Sequence, residues 1–296
     1  MNASQSTNPQ TALVTGATSG LGRATAILLA ENGWRVFAAG RSAERRRSID
    51  DLARLRGLPL ETLEMDVTSD DSVERAFQEI ERRGVRALDA VVNNAGIAIA
   101  APIEEVRYED LQKQFETNVF SVVRVSQRAL PAMRERRRGR IVNMSSIAGK
   151  VTMPILGPYS GSKFALEAIS DAMRIELHPF GIHVVIIEPG YIRTDMERAA
   201  QDLSSAYVAG AERSPYHVVY EGFRRAWDET TRGSKDVPVG CARVILRALT
   251  ETPPRPRYVV TRRAKLTAFL RRILSDRAFD RSILRATGLD RAGEKT

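Results

Sequence analysis

The 296-residue chain is poor in cysteine, histidine and aromatic residues, and it has no long apolar run. One cysteine, Cys241, excludes an internal disulfide, fits a reducing compartment and reads as a small buried apolar residue. The three histidines, His178, His183 and His217, are scattered, so no metal centre is expected. No stretch approaches the ~20 apolar residues that span a bilayer. The first eight residues, Met1 to Asn8, are polar and uncharged, unlike a secretory signal. A cytoplasmic location is therefore the expectation. Aromatics make up 6% of the chain and are not interleaved with its basic residues, which argues against a nucleic-acid binder.

A hydrophobic content of 43% and a charged content of 27% are those of a globular domain able to bury a large core. The net charge of +9 is unevenly distributed. Arg255 to Arg291 holds eleven Lys/Arg against three Asp, so nearly all of the excess sits in the C-terminal extension.

Residues 1–10 read as a disordered leader. After them, apolar strand-like runs alternate with helix-like segments. Thr11–Thr15 is the first strand. It meets Gly16-Ala17-Thr18-Ser19-Gly20-Leu21-Gly22, which opens into a helix, the order that aims backbone N–H groups and a positive helix end at a phosphate. The spacing is G-x-x-x-G-x-G and not the commoner G-x-G-x-x-G. A second strand, Arg35–Ala39, ends at Gly40-Arg41. The carboxylate that would hold a ribose 2′-hydroxyl is missing there, and Arg41 stands where a 2′-phosphate would lie, which favours NADP(H) over NAD(H). Further strands are expected near Leu60–Met65, Leu88–Val92, Gly139–Met144, Ile182–Ile187 and Arg257–Val260. One helix is expected from Glu109 to Arg138, and another from Pro158 to Phe180. This alternation predicts a single doubly wound parallel sheet of seven strands with helices on both faces. The strand ends collect Gly16–Gly22, Arg41, Asp66-Val67, Asn94-Ala95-Gly96, Ser146 and Pro189-Gly190 on one edge, where such sheets bind ligands.

On the Pro158–Phe180 helix, Tyr159 and Lys163 lie one turn apart on one face. A lysine charge in that position favours the phenolate and is expected to lower the tyrosine pKa, as an acid/base residue requires.

Thr15-Gly16-x3-Gly20-x-Gly22, Asn93-Asn94-Ala95-Gly96, Asn118 with Ser146, Tyr159-x3-Lys163 and Pro189-Gly190 followed by Thr194 together resemble the short-chain dehydrogenase/reductase family over residues 11–260. The resemblance implies that Tyr159 is the general acid/base. Lys163 would lower its pKa and bind the nicotinamide ribose, Ser146 would hold the substrate oxygen, and Asn118 would anchor a proton-relay water. Asp66 would meet the adenine amino group, Asn94 would border the cofactor, and Thr194 with the backbone near Ile192 would hold the carboxamide. Ser146 is preferred to Ser145 because the family's serine usually precedes its tyrosine by thirteen residues. Self-association into a dimer or tetramer through the Tyr159 helix is a further implication.

Residues 191–237 break the sheet pattern and match the family's substrate-binding segment. Tyr191, Tyr207, Tyr216, Tyr220, Phe223 and Trp227 fall within it. They either line a pocket for a bulky apolar alcohol or carbonyl compound, steroid-, retinoid- or long-chain-like, or pack this lid on the body. The extension 261–296 carries Leu266, Phe269, Leu270, Ile273 and Leu274 on one helix face among Arg and Lys. A shorter helix with Phe279, Ile283 and Leu284 follows and stops at Gly288. Such a stripe can dock on the body, on a partner, or on an anionic membrane through residues 263–286. The tail and the Tyr159 helix are also loosely similar to the retinol and 17β-hydroxysteroid dehydrogenase branch. The alternatives are a 3-oxoacyl-carrier-protein reductase and a non-catalytic dinucleotide-sensing protein of the same fold.

Overall fold

The computed structural model describes residues 9–232 and 234–294, so the expected leader lies outside it except for residues 9 and 10. Seven apolar runs form β1 (Thr11–Val14), β2 (Arg35–Gly40), β3 (Leu60–Glu64), β4 (Ala90–Asn93), β5 (Gly139–Met144), β6 (Ile182–Glu188) and β7 (Arg257–Val259). They pair in parallel in the order β3-β2-β1-β4-β5-β6-β7, as the alternation predicts. The central strands are buried along most of their length, with little alternation, because helices cover both faces. The edge strands β3 and β7 instead carry Glu61, Glu64 and Arg257. On one face, α1 (Gly20–Glu31), α2 (Ala43–Arg56) and α9 (Pro238–Thr250) bury Ala26, Leu29, Ile49 and Ile245. Cys241 belongs to this core. On the other face, α3 (Asp70–Arg82) and α5 (Ser121–Glu135) bury Phe77, Ile80, Val125 and Met133. The connections from β1 and β4 leave in opposite directions, and the crevice this opens at the strand ends is where the predicted residues collect.

The helix expected over 109–138 is interrupted. It forms α4 (Tyr108–Phe115), a π-turn at Glu116–Phe120 and then α5. The wider turn holds Asn118, whose carboxamide accepts from the Ile97 N–H at 2.9 Å and donates to the Ile97 carbonyl at 2.9 Å. This double bond to the chain after β4 accounts for a local unwinding that apolar periodicity does not register.

α6 (Gly157–Leu177) is tied to the sheet by a buried polar chain. Asn93 and Asn143 face each other in register on β4 and β5. Asn93 Nδ2 donates to Asn143 Oδ1 at 2.9 Å, and Asn143 Nδ2 donates to Ser170 Oγ on α6 at 2.9 Å. Asn143→Ala removes one acceptor from Asn93 Nδ2, which keeps Ser126 Oγ at 3.2 Å. It also removes the donor to Ser170 Oγ, which still donates to the Leu166 carbonyl at 2.6 Å. The substitution is therefore expected to destabilise the fold by ~1–2 kcal/mol. Urea denaturation measures the loss, and a wild-type midpoint would show that the chain is not needed.

Where the sheet pattern lapses, α7 (Asp195–Gly210) and α8 (His217–Thr231) form the lid. The extension folds as α10 (Arg262–Ile273) and α11 (Asp276–Thr287), and Gly288, at φ +70°, closes α11 as expected. α11 packs on α8 through Phe279 and Thr287. The stripe of α10 is only partly covered: Leu266, Phe269 and Ile273 are 57–58% exposed, while Leu270 and Leu274 are half-buried.

Candidate active site

The glycine loop between β1 and α1 is shaped by close approach. Gly16 and Gly20 lie at φ +62° and +50°. A Cβ on Gly22 would stand 2.4 Å from both the Gly16 carbonyl oxygen and Asn94 Nδ2. Asn94 Nδ2 donates to the Thr15 carbonyl at 2.9 Å and to that of Gly16 at 3.3 Å. Thr15 Oγ1 accepts from the N–H groups of Asn94 and Ala95, both at 3.0 Å. Asn94 therefore acts here as a brace for the loop. Thr15, which opens the glycine motif but gains no role from the sequence alone, does the same work. The only signal for it is a hydroxyl residue at the strand end just before the first glycine. Ser19 at the start of α1 makes no side-chain capping bond, so the first N–H groups of that helix stay available to an anion. A Cβ-free cradle ending in an open helix N-terminus fits a pyrophosphate.

At the end of β2, Thr18 fills the space beside Gly40, 2.3 Å from where a Cβ would be. Arg41 projects beyond it, largely exposed and 3.8 Å from Asp66. Burial alone would raise the Asp66 pKa, but the N–H and hydroxyl of Thr68, at 3.0 and 2.7 Å, and the Arg41 charge outweigh it and hold the carboxyl below its ordinary value. Asp66 thus remains an acceptor at neutral pH.

Ser146 follows β5. Its hydroxyl accepts from the Ala148 N–H at 3.1 Å and donates to the Pro189 carbonyl at 3.4 Å, and it lies near enough to the Tyr159 hydroxyl to favour the phenolate. The neighbouring Ser145 hydroxyl is buried and 2.8 Å from the Cβ position of Gly149. Lys163 Nζ is 5.8 Å from the centre of the Tyr159 ring and donates to the Met144 carbonyl at 2.8 Å. Burial brings the Lys163 ammonium down to about 8, with Glu167 opposing. The expected fall in the Tyr159 pKa does not occur in this arrangement. Burial pushes the phenol up, only Ser146 pulls it down, and the lysine charge is directed at a carbonyl instead of the phenol oxygen.

Of the predicted residues, all but Asn118 line one cleft of about 1430 Å³ along this edge. Gly16, Thr18, Ser19, Gly20, Leu21 and Gly22 form its floor at the phosphate end. Arg41, Asp66 and Val67 stand at one side of it, and Ala95, Gly96, Ser146, Tyr159, Lys163, Pro189, Gly190, Ile192 and Thr194 lie at the other. Asn118 stands behind Lys163, donating to Ser162 Oγ at 3.0 Å. Among the described residues no cluster of His, Cys, Asp and Glu could hold a metal.

The lid aromatics do not line this cleft among the described residues. The Tyr207 hydroxyl donates to Asp110 at 2.5 Å and that of Tyr220 to Glu105 at 3.0 Å, while that of Tyr216 bonds Glu104 at 2.5 Å. Phe223 stacks on Trp227, and Tyr191 meets the same ring edge-on. The three tyrosine hydroxyls tie the lid to the chain around residues 104–110, while Tyr191, Phe223 and Trp227 pack on one another. Of the two readings of these aromatics, packing is the one the contacts describe. The lid presents Met196, Arg198, Ala199 and Asp202 to the cleft instead.

Comparison with known proteins agrees with this geometry. Residues 10–204 match the family model of the short chain dehydrogenases. The NADPH-dependent 3-dehydrocapnine reductase of Ornithobacterium rhinotracheale is 34% identical over 91% of this chain and 94% of its own. The 3-ketodihydrosphingosine reductase of Bacteroides thetaiotaomicron is 39% identical over 63% of this chain and 65% of its own. The crystal structure of the actinorhodin polyketide ketoreductase with NADPH superposes with a TM-score of 0.72 at 31% identity, covering 85% of this chain and 95% of that one. The chain belongs to the short-chain dehydrogenase/reductase family and is an oxidoreductase that uses a nicotinamide dinucleotide to interconvert alcohol and carbonyl groups of a small molecule.

Proposed function

We propose that the enzyme is an NADP(H)-preferring reductase of a ketone or aldehyde on a bulky, apolar, long-chain-like substrate, with Tyr159 as the general acid. The observation that carries this reading is the meeting of Ser146, Tyr159 and Lys163 at one end of a cleft whose other end is a phosphate cradle. A bound nicotinamide supplies the hydride to the carbonyl carbon. Ser146 holds the carbonyl oxygen, and Tyr159 gives that oxygen its proton. Because burial raises the phenol pKa, Tyr159 stays protonated through neutral pH, the form that reduction requires. Lys163 faces the ribose side, and Asn118, through Ser162 and Ile97, holds the chain behind it. Asp66 serves the adenine. Thr194, which caps α7 and packs near Gly20, holds the carboxamide end with Ile192, Pro189 and Gly190.

Arg41 supports the coenzyme preference: its guanidinium is exposed at the cleft with a single carboxylate nearby. Arg41→Asp removes the charge and adds its opposite. The ratio of kcat/KM for NADP(H) over NAD(H) is expected to fall by about 100-fold, on the scale of a lost charge-assisted phosphate contact. An unchanged ratio removes the argument for Arg41.

The relatives named as a 3-dehydrocapnine reductase and a 3-ketodihydrosphingosine reductase support a ketone as the reacting group, and the size of the cleft, not the lid aromatics, supports a bulky substrate. The structural likeness to a polyketide ketoreductase favours acyl thioesters as the second class to test. A panel of long-chain ketones, steroids, retinoids and acyl thioesters, followed by coenzyme absorbance, tests the reading. Turnover confined to thioesters shifts it to the carrier-linked class, and no turnover of any carbonyl overturns it.

The exposed α10 stripe lies among Arg262, Arg263, Lys265, Arg271 and Arg272, a pattern that fits an anionic membrane surface bearing an apolar substrate. Among the described residues no helix is long and apolar enough to cross a membrane, so contact would be peripheral. Full-length protein is expected to sediment with phosphatidylglycerol vesicles and not with phosphatidylcholine ones, and Phe269→Asp should abolish the binding. No sedimentation of the wild type eliminates this surface. Exposed Phe120, Phe164 and Ile175 around the α5 and α6 helices support self-association there.

A further inference from the structure

On the side of Lys163 away from the cleft, the fold buries two carboxylates that the proposed chemistry leaves unused. Glu167, one turn beyond Lys163 on α6, and Glu188, the last residue of β6, are 5% and 1% exposed. Lys150 Nζ bridges them, 3.0 Å from Glu167 Oε2 and 3.6 Å from Glu188 Oε1. Arg257 Nε does the same from β7, at 3.0 and 3.2 Å. A second Arg257 nitrogen meets Asp171 of α6 at 2.6 Å, and Arg174 meets that carboxylate at 3.0 Å. Glu167 Oε1 is buried and makes no hydrogen bond among the described residues. α10, also packed at this corner, brings Thr261 and Ala264, both uncharged, against Gly190.

Lys150 and both glutamates lie on segments that carry a site residue, and Arg257 reaches them from β7. Lys150 comes four residues after Ser146, and Glu167 four after Lys163. Glu188 directly precedes Pro189-Gly190. We propose that Glu167 and Glu188, joined through Lys150 and Arg257, are positioning residues that hold these three segments in one arrangement and set a negative charge one turn behind the Lys163 ammonium. Apolar side chains of similar volume would join the segments at a lower desolvation cost. What the carboxylates add is a field on Lys163, strong because little water intervenes. Glu167 opposes the burial that brings Lys163 down to about 8. Burial and the Glu167 charge push Glu188 up to about 7, so its own charge develops across the neutral range.

The inference rests on Lys163 working beside Tyr159, so its test reads Lys163 directly. The chain has six lysines, and NMR of protein labelled at lysine 13Cε follows each of them, with Lys163 identified by the signal lost in Lys163→Arg. In Glu167→Gln the Lys163 titration is expected to move to lower pH by on the order of one unit, and the alkaline limb of kcat should move with it. Glu167→Asp, which keeps the charge, should return both to near wild type. Glu188→Gln should lower the same titration by a smaller amount, and this variant serves if Glu167→Gln does not fold. A Lys163 titration unmoved in a folded Glu167→Gln or Glu188→Gln protein overturns the proposal. Undiminished turnover in Tyr159→Phe would instead overturn the catalytic reading and leave the NMR result standing.

Discussion

Tyr159→Phe is expected to lower kcat for carbonyl reduction by about a thousandfold, while coenzyme affinity changes by less than about threefold. The substitution deletes one oxygen and keeps the ring, so the packing of α6 beside Lys163 persists. What disappears is the proton donor within reach of the oxygen that Ser146 holds. A carbonyl that receives hydride with no acid nearby must form an alkoxide in a partly desolvated cleft, which is where the cost arises. Steady-state rates and coenzyme titration separate the two quantities. Because burial holds the phenol pKa above its ordinary value, loss of the Tyr159 proton should limit the wild-type reduction rate only as pH climbs through that raised value, after the earlier alkaline limb set by Lys163 at about 8. Oxidation, which needs the phenolate, should rise over the same range. Loss of coenzyme binding in parallel with kcat would mean that the residue is structural.

Gly22→Ala is the second large effect expected, and it acts by crowding. The added methyl would stand 2.4 Å from a backbone carbonyl oxygen and 2.4 Å from the Asn94 carboxamide that braces the same loop. The carboxamide can rotate, but the Gly16 carbonyl moves only with the chain, and Gly16 is already at φ +62° in a region that favours glycine. The loop must open, and the N–H groups aimed at the pyrophosphate turn away. Dinucleotide affinity is expected to fall at least 30-fold, about 2 kcal/mol, with a loss of several degrees in Tm. Calorimetric titration and thermal melting report the two. Gly210→Ala is the matched control, since nothing lies within 4 Å of that Cβ position and alanine suits a helix better. If Gly22→Ala binds coenzyme as the wild type does, the loop is not the cradle described above.

Much of the site was legible before folding because its residues sit at strand ends, and strand ends of a parallel sheet share one edge. Asp66, Ser146 and Pro189 are separated by 123 residues of chain at most, yet each follows an apolar run, which is enough to bring them together. Asn118 was identified as a residue, but its setting was not. A π-turn alters hydrogen-bond register while leaving composition and periodicity almost intact, so nothing in Glu116–Phe120 announces it. The lid tyrosines show the opposite case. Their apolar rings suggest a pocket lining, whereas their hydroxyls found Glu104, Glu105 and Asp110 some hundred residues earlier, and a half-buried phenol settles where its polar end is satisfied.

The chain by itself determined the parallel sheet, the edge that carries the chemistry and the charge of the tail, because strand–helix alternation and residue type are local properties. Tertiary structure decided what each of those residues faces. It turned Lys163 toward the Met144 carbonyl and raised the Tyr159 pKa where pairing alone predicted a fall. It left Leu266, Phe269 and Ile273 of the α10 stripe open to solvent, and it gathered Glu167 and Glu188 between Lys150 and Arg257. Desolvation and long-range pairing depend on which segments meet, and no spacing along one segment encodes that.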